Sequence, residues 1–331
     1  MSDIVLVTEK EYRKGEAVFR AAEGVRCEAA PEDEAGLAVA VAARGARAVI
    51  VGVAPYRGLL YEALAAHGSG LIARFGVGHD GIDKSQARAH GIAVTNTPGA
   101  LDASVAEHAV WLMGALARRV ADLHRRFLEG SFAGAGGIEV CGRTLGVLGF
   151  GAIGRRVASI AIRGFGMKVI ACDQLPPERM AGPLAGAGGG EYTTDVRAMF
   201  GAADFVSVHL PSLPETRRFL NAERLAWLRP DAMLINTARG AVLDETALFD
   251  ALAAGRLAGA ALDVFETEPY VPADPARDLR SLPNVVLTPH VGSNTAEANH
   301  RMAVAALGNA QRFLAGDLSR LDRVDAARQP A

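Results

Sequence analysis

Cysteine is scarce in this chain. Cys27, Cys141 and Cys172 lie far apart, and none forms a CxxC pair. That excludes a disulfide scaffold and a Cys-rich zinc module, and it fits a reducing compartment. A charge excess of either sign is also missing. There are 35 Lys and Arg against 37 Asp and Glu, a formal net charge of -2, and the pI is about 6.5. A nucleic-acid coat or an anionic-membrane binder would carry a basic excess. Long apolar runs are absent too. The best candidate, residues 103–116, is interrupted by Glu107 and His108, and it falls short of the ~18 apolar residues that mark a membrane span. The apolar run from Ile4 to Val7 is too short for a signal peptide. Asp, Glu and His are spread without the clustering that holds a metal. The expectation is a cytoplasmic protein with no metal, nucleic-acid partner or membrane.

Half of the residues are hydrophobic and 22% are charged, which is globular composition. At roughly 150 residues per domain the length allows about two domains. Short apolar runs at 4–8, 48–53, 71–75, 92–95, 144–150, 168–173, 205–210, 232–237, 259–264 and 285–288 read as strands. Helical spacing fills segments such as 32–43, 59–67, 153–163 and 245–254. Alternation of this kind predicts an α/β fold with parallel sheets, and the wholly apolar strands predict helices on both sheet faces. One long helical pattern runs from Asp102, a candidate N-cap, to about Leu128. Residues 130–142 are Gly-rich and aperiodic, a connecting loop. Residues 175–190, rich in Pro, Gly and Ala, read as a surface loop or a short helix.

The strand at 144–150 leads into Gly149-Phe-Gly151-Ala152-Ile153-Gly154 and then a helical pattern. Alone, GxGxxG is weak evidence. Here it follows a strand, opens a helix, and the next strand ends in Asp173, about 20 residues on. Gly149 permits the tight turn, Gly151 lets a pyrophosphate approach, and Gly154 lets helix and strand pack closely. The helix N-terminus presents N–H groups to the phosphates. A carboxylate at 173 accepts from ribose hydroxyls and repels a 2′-phosphate, which favours NAD over NADP.

Three chemically apt side chains follow other strands. They are Arg239 in Asn236-Thr237-Ala238-Arg239-Gly240, Glu268 in Glu266-Thr-Glu268-Pro269, and His290 in Thr288-Pro-His290-Val-Gly292. Ligands of open α/β sheets bind at the carboxyl ends of the strands. There, Arg239 can hold a substrate carboxylate and polarise a carbonyl. His290 can exchange a proton with the substrate oxygen. An acid paired with His290 would raise its pKa and orient it. Glu266 competes with Glu268 for that place, and spacing does not choose between them.

Taken together, the motifs resemble the NAD-dependent D-isomer-specific 2-hydroxyacid dehydrogenases. The resemblance covers about Ala48 to Ala315. It is carried by Arg74-Phe-Gly-Val-Gly-His-Asp-Gly-Ile-Asp83, Thr95-Asn-Thr-Pro98, Ser104-Val-Ala-Glu107, Gly149 to Gly154, Val208-His-Leu-Pro211, Asn236 to Gly240, Asp263-Val-Phe265, Glu268-Pro269 and Thr288 to Gly292. It implies two Rossmann-like lobes with parallel sheets and the cofactor in the interdomain cleft. Residues 1–100 plus 295–331 would form a flavodoxin-like substrate-binding domain, and 101–294 the NAD-binding domain. It implies a catalytic set of Arg239, Glu268 and His290, selecting Glu268 because the family's acid directly precedes the proline. The N–H groups of Val77 and Gly78 would hold the substrate carboxylate. Cofactor contacts would fall on Ser104, Gly149, Gly151, Ala152, Ile153, Gly154, Asp173, His209, Leu210, Pro211, Thr237, Ala238, Arg239, Asp263, His290 and Gly292. The stretch 101–128 resembles the part through which relatives dimerise, so a homodimer is expected.

The implied reaction moves a hydride between NAD(H) and C2 of a small 2-keto or D-2-hydroxy acid, such as hydroxypyruvate, glyoxylate or 3-phosphoglycerate. Asn96-Thr97-Pro98-Gly99 and Gly76-Val-Gly78 are similar to phosphoglycerate dehydrogenases. Some of those carry a phosphate-binding Arg directly after the strand that corresponds to Val49–Val51. Here Gly52 stands there, leaving Arg57 or Arg74 as candidate cations. Phe132 is the one aromatic candidate to match glyoxylate and hydroxypyruvate reductases. Rival readings on the same fold are an NAD-sensing corepressor-type binding protein and a phosphite-type dehydrogenase.

Overall fold

The computed structural model describes residues 2–324. It divides into two compact units, Met1–Leu101 with Asn294–Ala331, and Asp102–Ser293.

The first unit runs β1 (Asp3–Thr8), α1 (Glu9–Lys14), α2 (Glu16–Arg20), β2 (Val25–Ala30), α3 (Glu34–Arg44), β3 (Ala48–Val51), α4 (Leu59–Ala65), β4 (Gly70–Arg74), α5 (Lys84–Ala89) and β5 (Ile92–Thr95). Its sheet is parallel throughout, in the order β2-β1-β3-β4-β5. Strands β3, β4 and β5 are buried at every residue, as expected where helices cover both faces. The edge strand β2, Val-Arg-Cys-Glu-Ala-Ala, was not anticipated. It alternates apolar and charged residues, and its Glu28 pairs with Arg26 and Arg44. Asp33 caps α3 by accepting from the Gly36 N–H at 2.8 Å, and Gly45 ends that helix at φ 61°.

The second unit opens with α6 (Asp102–Ala117) and α7 (Val120–Leu128). The single long helix expected here is two, and Asp102 is the first helical residue rather than a cap. Arg119 sits at φ 55° between them. The Ile138 N–H takes the Ala117 carbonyl at 2.9 Å, so a distant loop residue finishes α6. There follow β6 (Thr144–Leu148), α8 (Ala152–Phe165), β7 (Lys168–Cys172), α9 (Pro177–Ala187), β8 (Glu191–Thr193), α10 (Val196–Ala202), β9 (Phe205–Val208), α11 (Ala222–Leu225), β10 (Met233–Asn236), α12 (Glu245–Ala253), β11 (Gly259–Leu262) and β12 (Val285–Leu287). The segment at 175–190 is thus largely helical, with Pro177 at its first turn and Pro183 inside. The three-residue edge strand β8 was not anticipated.

These seven strands are parallel in the order β12-β11-β10-β9-β6-β7-β8. Alternate side chains build separate cores on the two faces. Val206, Val208, Leu234 and Leu262 pack with Phe200 and Leu248 on one. Leu145, Val147, Phe205 and Ile235 pack with Met113, Val157 and Ala161 on the other. The chain returns to the first unit as α13 (Ala296–Leu314), capped by Thr295. No described helix is long and apolar enough to cross a membrane.

Candidate active site

The order of the second sheet reverses between β6 and β9, the place where open α/β sheets take a ligand. The glycine-rich turn follows β6, and His209, Leu210 and Pro211 follow β9. Gly149 has φ 93°, and a Cβ there would stand 2.7 Å from the His209 carbonyl oxygen. A Cβ on Gly154 would collide with the Gly149 carbonyl. Gly151 differs: a Cβ there would meet no atom within 4 Å. Nothing inside the protein demands glycine at 151, so its bareness suits a group arriving from outside. Ala152 and Ile153 open α8, whose N-cap Gly151 offers no side-chain acceptor to the first-turn N–H groups.

Asp173 closes β7 and braces this turn. Its Oδ2 accepts from the Phe150 N–H at 2.8 Å, and its Oδ1 from the Leu175 N–H at 3.3 Å. His209 shares a 2.8 Å hydrogen bond with Ser207 Oγ, and burial lowers its pKa to about 4, so its ring is neutral at physiological pH. Thr237 follows β10, and its buried hydroxyl has no hydrogen-bond partner among the described residues. An orphaned buried hydroxyl on the same sheet edge as the open glycine turn, two strands away, fits a bound dinucleotide. Ser104 is buried in the first turns of α6.

The candidate acid–base groups stand further along the same sheet edge. Asn236, fully buried, shapes the turn after β10 by donating to the Arg239 carbonyl at 3.1 Å and accepting from the Ala238 N–H at 3.0 Å. A Cβ on Gly240 would collide with the Phe265 carbonyl. Glycine there lets the segment carrying Arg239 lie against the one carrying Glu268. Glu268 Oε1 accepts from the Phe265 N–H at 3.0 Å, and its Oε2 lies 2.7 Å from His290 Nδ1. Burial would raise the Glu268 pKa. The His290 contact, the Phe265 N–H and the Arg239 charge outweigh it and hold the carboxyl below its ordinary range. Glu266 is engaged elsewhere, by Arg218 at 2.8 and 3.2 Å.

His290 itself has φ 52°. Asp263 holds that conformation. Its carbonyl accepts the His290 N–H at 2.8 Å, and its carboxylate takes the N–H groups of Val291 and Gly292 at 2.9 and 2.8 Å. The Thr288 hydroxyl donates to the same carboxylate at 2.6 Å, and His108 of α6 lies 3.3 Å away. Burial would raise the Asp263 pKa, but these donors hold it down. The family resemblance implies only cofactor contacts for Asp263 and Gly292, and His108 in the long helical stretch reads as structural or interfacial. Their joint support of His290 is a three-dimensional property with no signature in spacing.

In the first unit, Arg74 Nε donates to the Gly78 carbonyl at 2.7 Å, and Nη1 donates to the Phe75 carbonyl. Asn96 donates to the Val77 carbonyl at 2.9 Å. With these carbonyls engaged, the Val77 and Gly78 N–H groups make no backbone hydrogen bond among the described residues. Arg57 is exposed on the neighbouring loop, and Phe132 is exposed in the second unit.

Residues 110–292 match the family described as D-isomer specific 2-hydroxyacid dehydrogenase, NAD binding domain. This chain belongs to that family. As a D-2-hydroxyacid dehydrogenase it is an NAD-dependent oxidoreductase, acting on C2 of a small 2-keto or D-2-hydroxy acid. The hydroxypyruvate reductase of Thermotoga maritima is 44% identical over 237 residues, 71% of this chain and 74% of that one. The D-3-phosphoglycerate dehydrogenase of Synechocystis is 40% identical over 71% of this dehydrogenase, but only 41% of its own length is covered. Among solved structures, the NADPH-dependent glyoxylate/hydroxypyruvate reductase of Sinorhizobium meliloti, solved with NADP and malonate, aligns over 100% of both chains at 30% identity and a TM-score of 0.81.

Proposed function

We propose that this dehydrogenase reduces a small 2-keto acid of the glyoxylate and hydroxypyruvate type, with Arg239, Glu268 and His290 as its catalytic groups. The observation that carries this reading is the 2.7 Å contact between His290 and Glu268 at the sheet edge that also carries Arg239. Arg239 anchors the substrate carboxylate and stabilises charge growing on the C2 oxygen. Protonated His290 delivers a proton to that oxygen, and Glu268 stabilises the imidazolium and fixes the ring. The N–H groups of Val77 and Gly78 are the second support for the carboxylate. When bound, the nicotinamide cofactor supplies the hydride. NAD is favoured over NADP because a 2′-phosphate would sit against the Asp173 carboxylate.

We also propose a homodimer. Trp111, Val120, Phe127, Leu128 and Phe132 are all more than half exposed on the segment from α6 into the following loop, an apolar area of the kind a partner covers. Cytoplasmic residence is supported by three free cysteines, of which Cys141 is exposed.

NADH oxidation against glyoxylate, hydroxypyruvate, phosphohydroxypyruvate and longer 2-keto acids tests the reading. Turnover of at least one of the short acids is expected. Tight NADH binding with no turnover of any of them would replace the enzyme by a binding protein. Sedimentation should give twice the chain mass, and a single-chain mass would remove the dimer.

A further inference from the structure

The first unit has its own reversal of strand order. From β1 the chain crosses to β2 on one side, while β3, β4 and β5 lie on the other. The crevice between the ends of β1 and β3 is therefore this sheet's ligand position. Three strand ends meet around it. Thr8 ends β1 and Glu11 follows in α1, Gly52 follows β3, and the Gly76–Gly78 loop follows β4.

Against these strand ends lies a buried carboxylate. Glu11 is only 5% exposed. Its Oε2 accepts from the Thr8 hydroxyl at 2.5 Å. Among the described residues that is its one side-chain hydrogen bond, and none of their Lys or Arg side chains forms a close ion pair with it, although its charge acts on Lys14 of the same helix, raising a pKa that burial lowers. Buried carboxylates are ordinarily paired with a cation, because desolvating the charge is expensive. Gly52 is what admits this one. A Cβ at position 52 would stand 2.6 to 2.7 Å from the Glu11 carboxyl atoms. Glu11 thus fills the volume that a side chain at 52 would occupy. The nearby Arg74 is tied to the Phe75 and Gly78 carbonyls, and a Cβ on Gly76 would lie 3.0 to 3.1 Å from its guanidinium. The cation shapes the loop.

From this geometry we infer that Glu11 reads the group on C3 of the substrate, accepting a hydrogen-bond donor such as a hydroxyl and rejecting a phosphate. The inference rests on the proposed reduction of a 2-keto acid held at Val77 and Gly78. The dimensions agree. Strand β3 separates β1 from β4, so their ends stand ~10 Å apart. A three-carbon acid with a hydrogen bond at each end spans about 9 Å. A Glu11 carboxylate with one neutral donor has lone pairs left for a substrate hydroxyl. A phosphate dianion at hydrogen-bond range of Glu11 would meet a desolvated like charge, which the more distant charges of Lys14 and Arg74 offset only in part.

The test compares NADH-dependent kcat/KM for hydroxypyruvate and phosphohydroxypyruvate. Turnover of glyoxylate, which has no C3, serves as the reference rate for each protein. The wild type should prefer hydroxypyruvate by roughly 100-fold, and Glu11→Gln should shrink that ratio by about tenfold or more. Gly52→Ala should move it the same way by displacing the carboxylate, and it serves if Glu11→Gln does not fold. Equal use of both acids by the wild type overturns the inference without any variant. So does a ratio that neither variant moves while glyoxylate is still reduced. Failure of the wild type to reduce any of the three acids, with NADH bound, would instead remove the proposed function itself.

Discussion

His290 Nδ1 lies 2.7 Å from Glu268 Oε2, a contact that joins the end of β12 to the loop after β11. With Nδ1 so engaged, Nε2 is the ring nitrogen left for substrate. His290→Ala should lower kcat by about 10²- to 10⁴-fold while NADH affinity, read by fluorescence titration, changes little. Near-normal turnover would reject proton transfer by His290. Glu268→Gln keeps the shape but removes the charge, and it should lower kcat on the order of 100-fold.

Asp263 makes a prediction about stability and pH. Its carboxyl is 1% exposed and held below the ordinary Asp value by surrounding donors. A depressed folded pKa means that below about pH 4 the unfolded chain binds the proton more readily than the folded one. The stabilisation is therefore complete above that pH and is lost as pH falls through the folded pKa. Asp263→Asn should destabilise the protein at pH 7 by on the order of 3 kcal/mol, because an amide cannot accept from every donor there. Denaturant melts of the variant should also change less than wild type between about pH 5 and 3. An unchanged pH dependence would remove Asp263 as a source of acid sensitivity.

The glycines of the second unit should separate into two behaviours. Gly151→Ala adds a methyl group where no protein atom lies within 4 Å. Its Tm should match wild type while NADH affinity falls, because the methyl occupies the pyrophosphate approach. Gly240→Ala collides with the Phe265 carbonyl. It should lower both Tm and turnover, since the Arg239 and Glu268 segments must separate. A large Tm loss in Gly151→Ala would contradict an approach route at that turn.

Asp173→Ala should weaken NADH binding and narrow the gap between NADH and NADPH. It should also lower Tm modestly, because the Phe150 N–H loses its acceptor, a loss of about 1 kcal/mol. An unchanged cofactor preference would take ribose recognition away from this residue.

The interior strands were legible because burial on both faces leaves wholly apolar runs such as Ala48–Val51. Strand β2 was not, since at the sheet edge Arg26 and Glu28 reach solvent and erase the run. The break between α6 and α7 was hidden for another reason. Arg118 and Arg119 are good helix formers, and the stop comes from Ile138, which is remote in sequence. Pro183 and the glycines of 175–190 obscured α9. In the site, Arg239 and His290 could be named from their strand-end positions, whereas Glu268 was chosen over Glu266 only through the family resemblance. The engagement of Glu266 by Arg218 is visible only in three dimensions. Glu11 was unreadable, because Thr8-Glu-Lys-Glu11 looks like an ordinary helix start.

The division into two units has a practical side. The groups proposed to choose the substrate, Thr8, Glu11, Gly52 and the Val77–Gly78 loop, all belong to one unit. Arg239, Glu268 and His290 belong to the other, where Asn236, Gly240 and Asp263 hold them. A mutant library restricted to positions 8–78 would therefore vary the groups proposed to choose the substrate while leaving the groups proposed to transfer the proton untouched. Libraries in the second unit would meet close backbone contacts at positions such as Gly149, Gly154 and Gly240. New specificity is to be sought in the first unit.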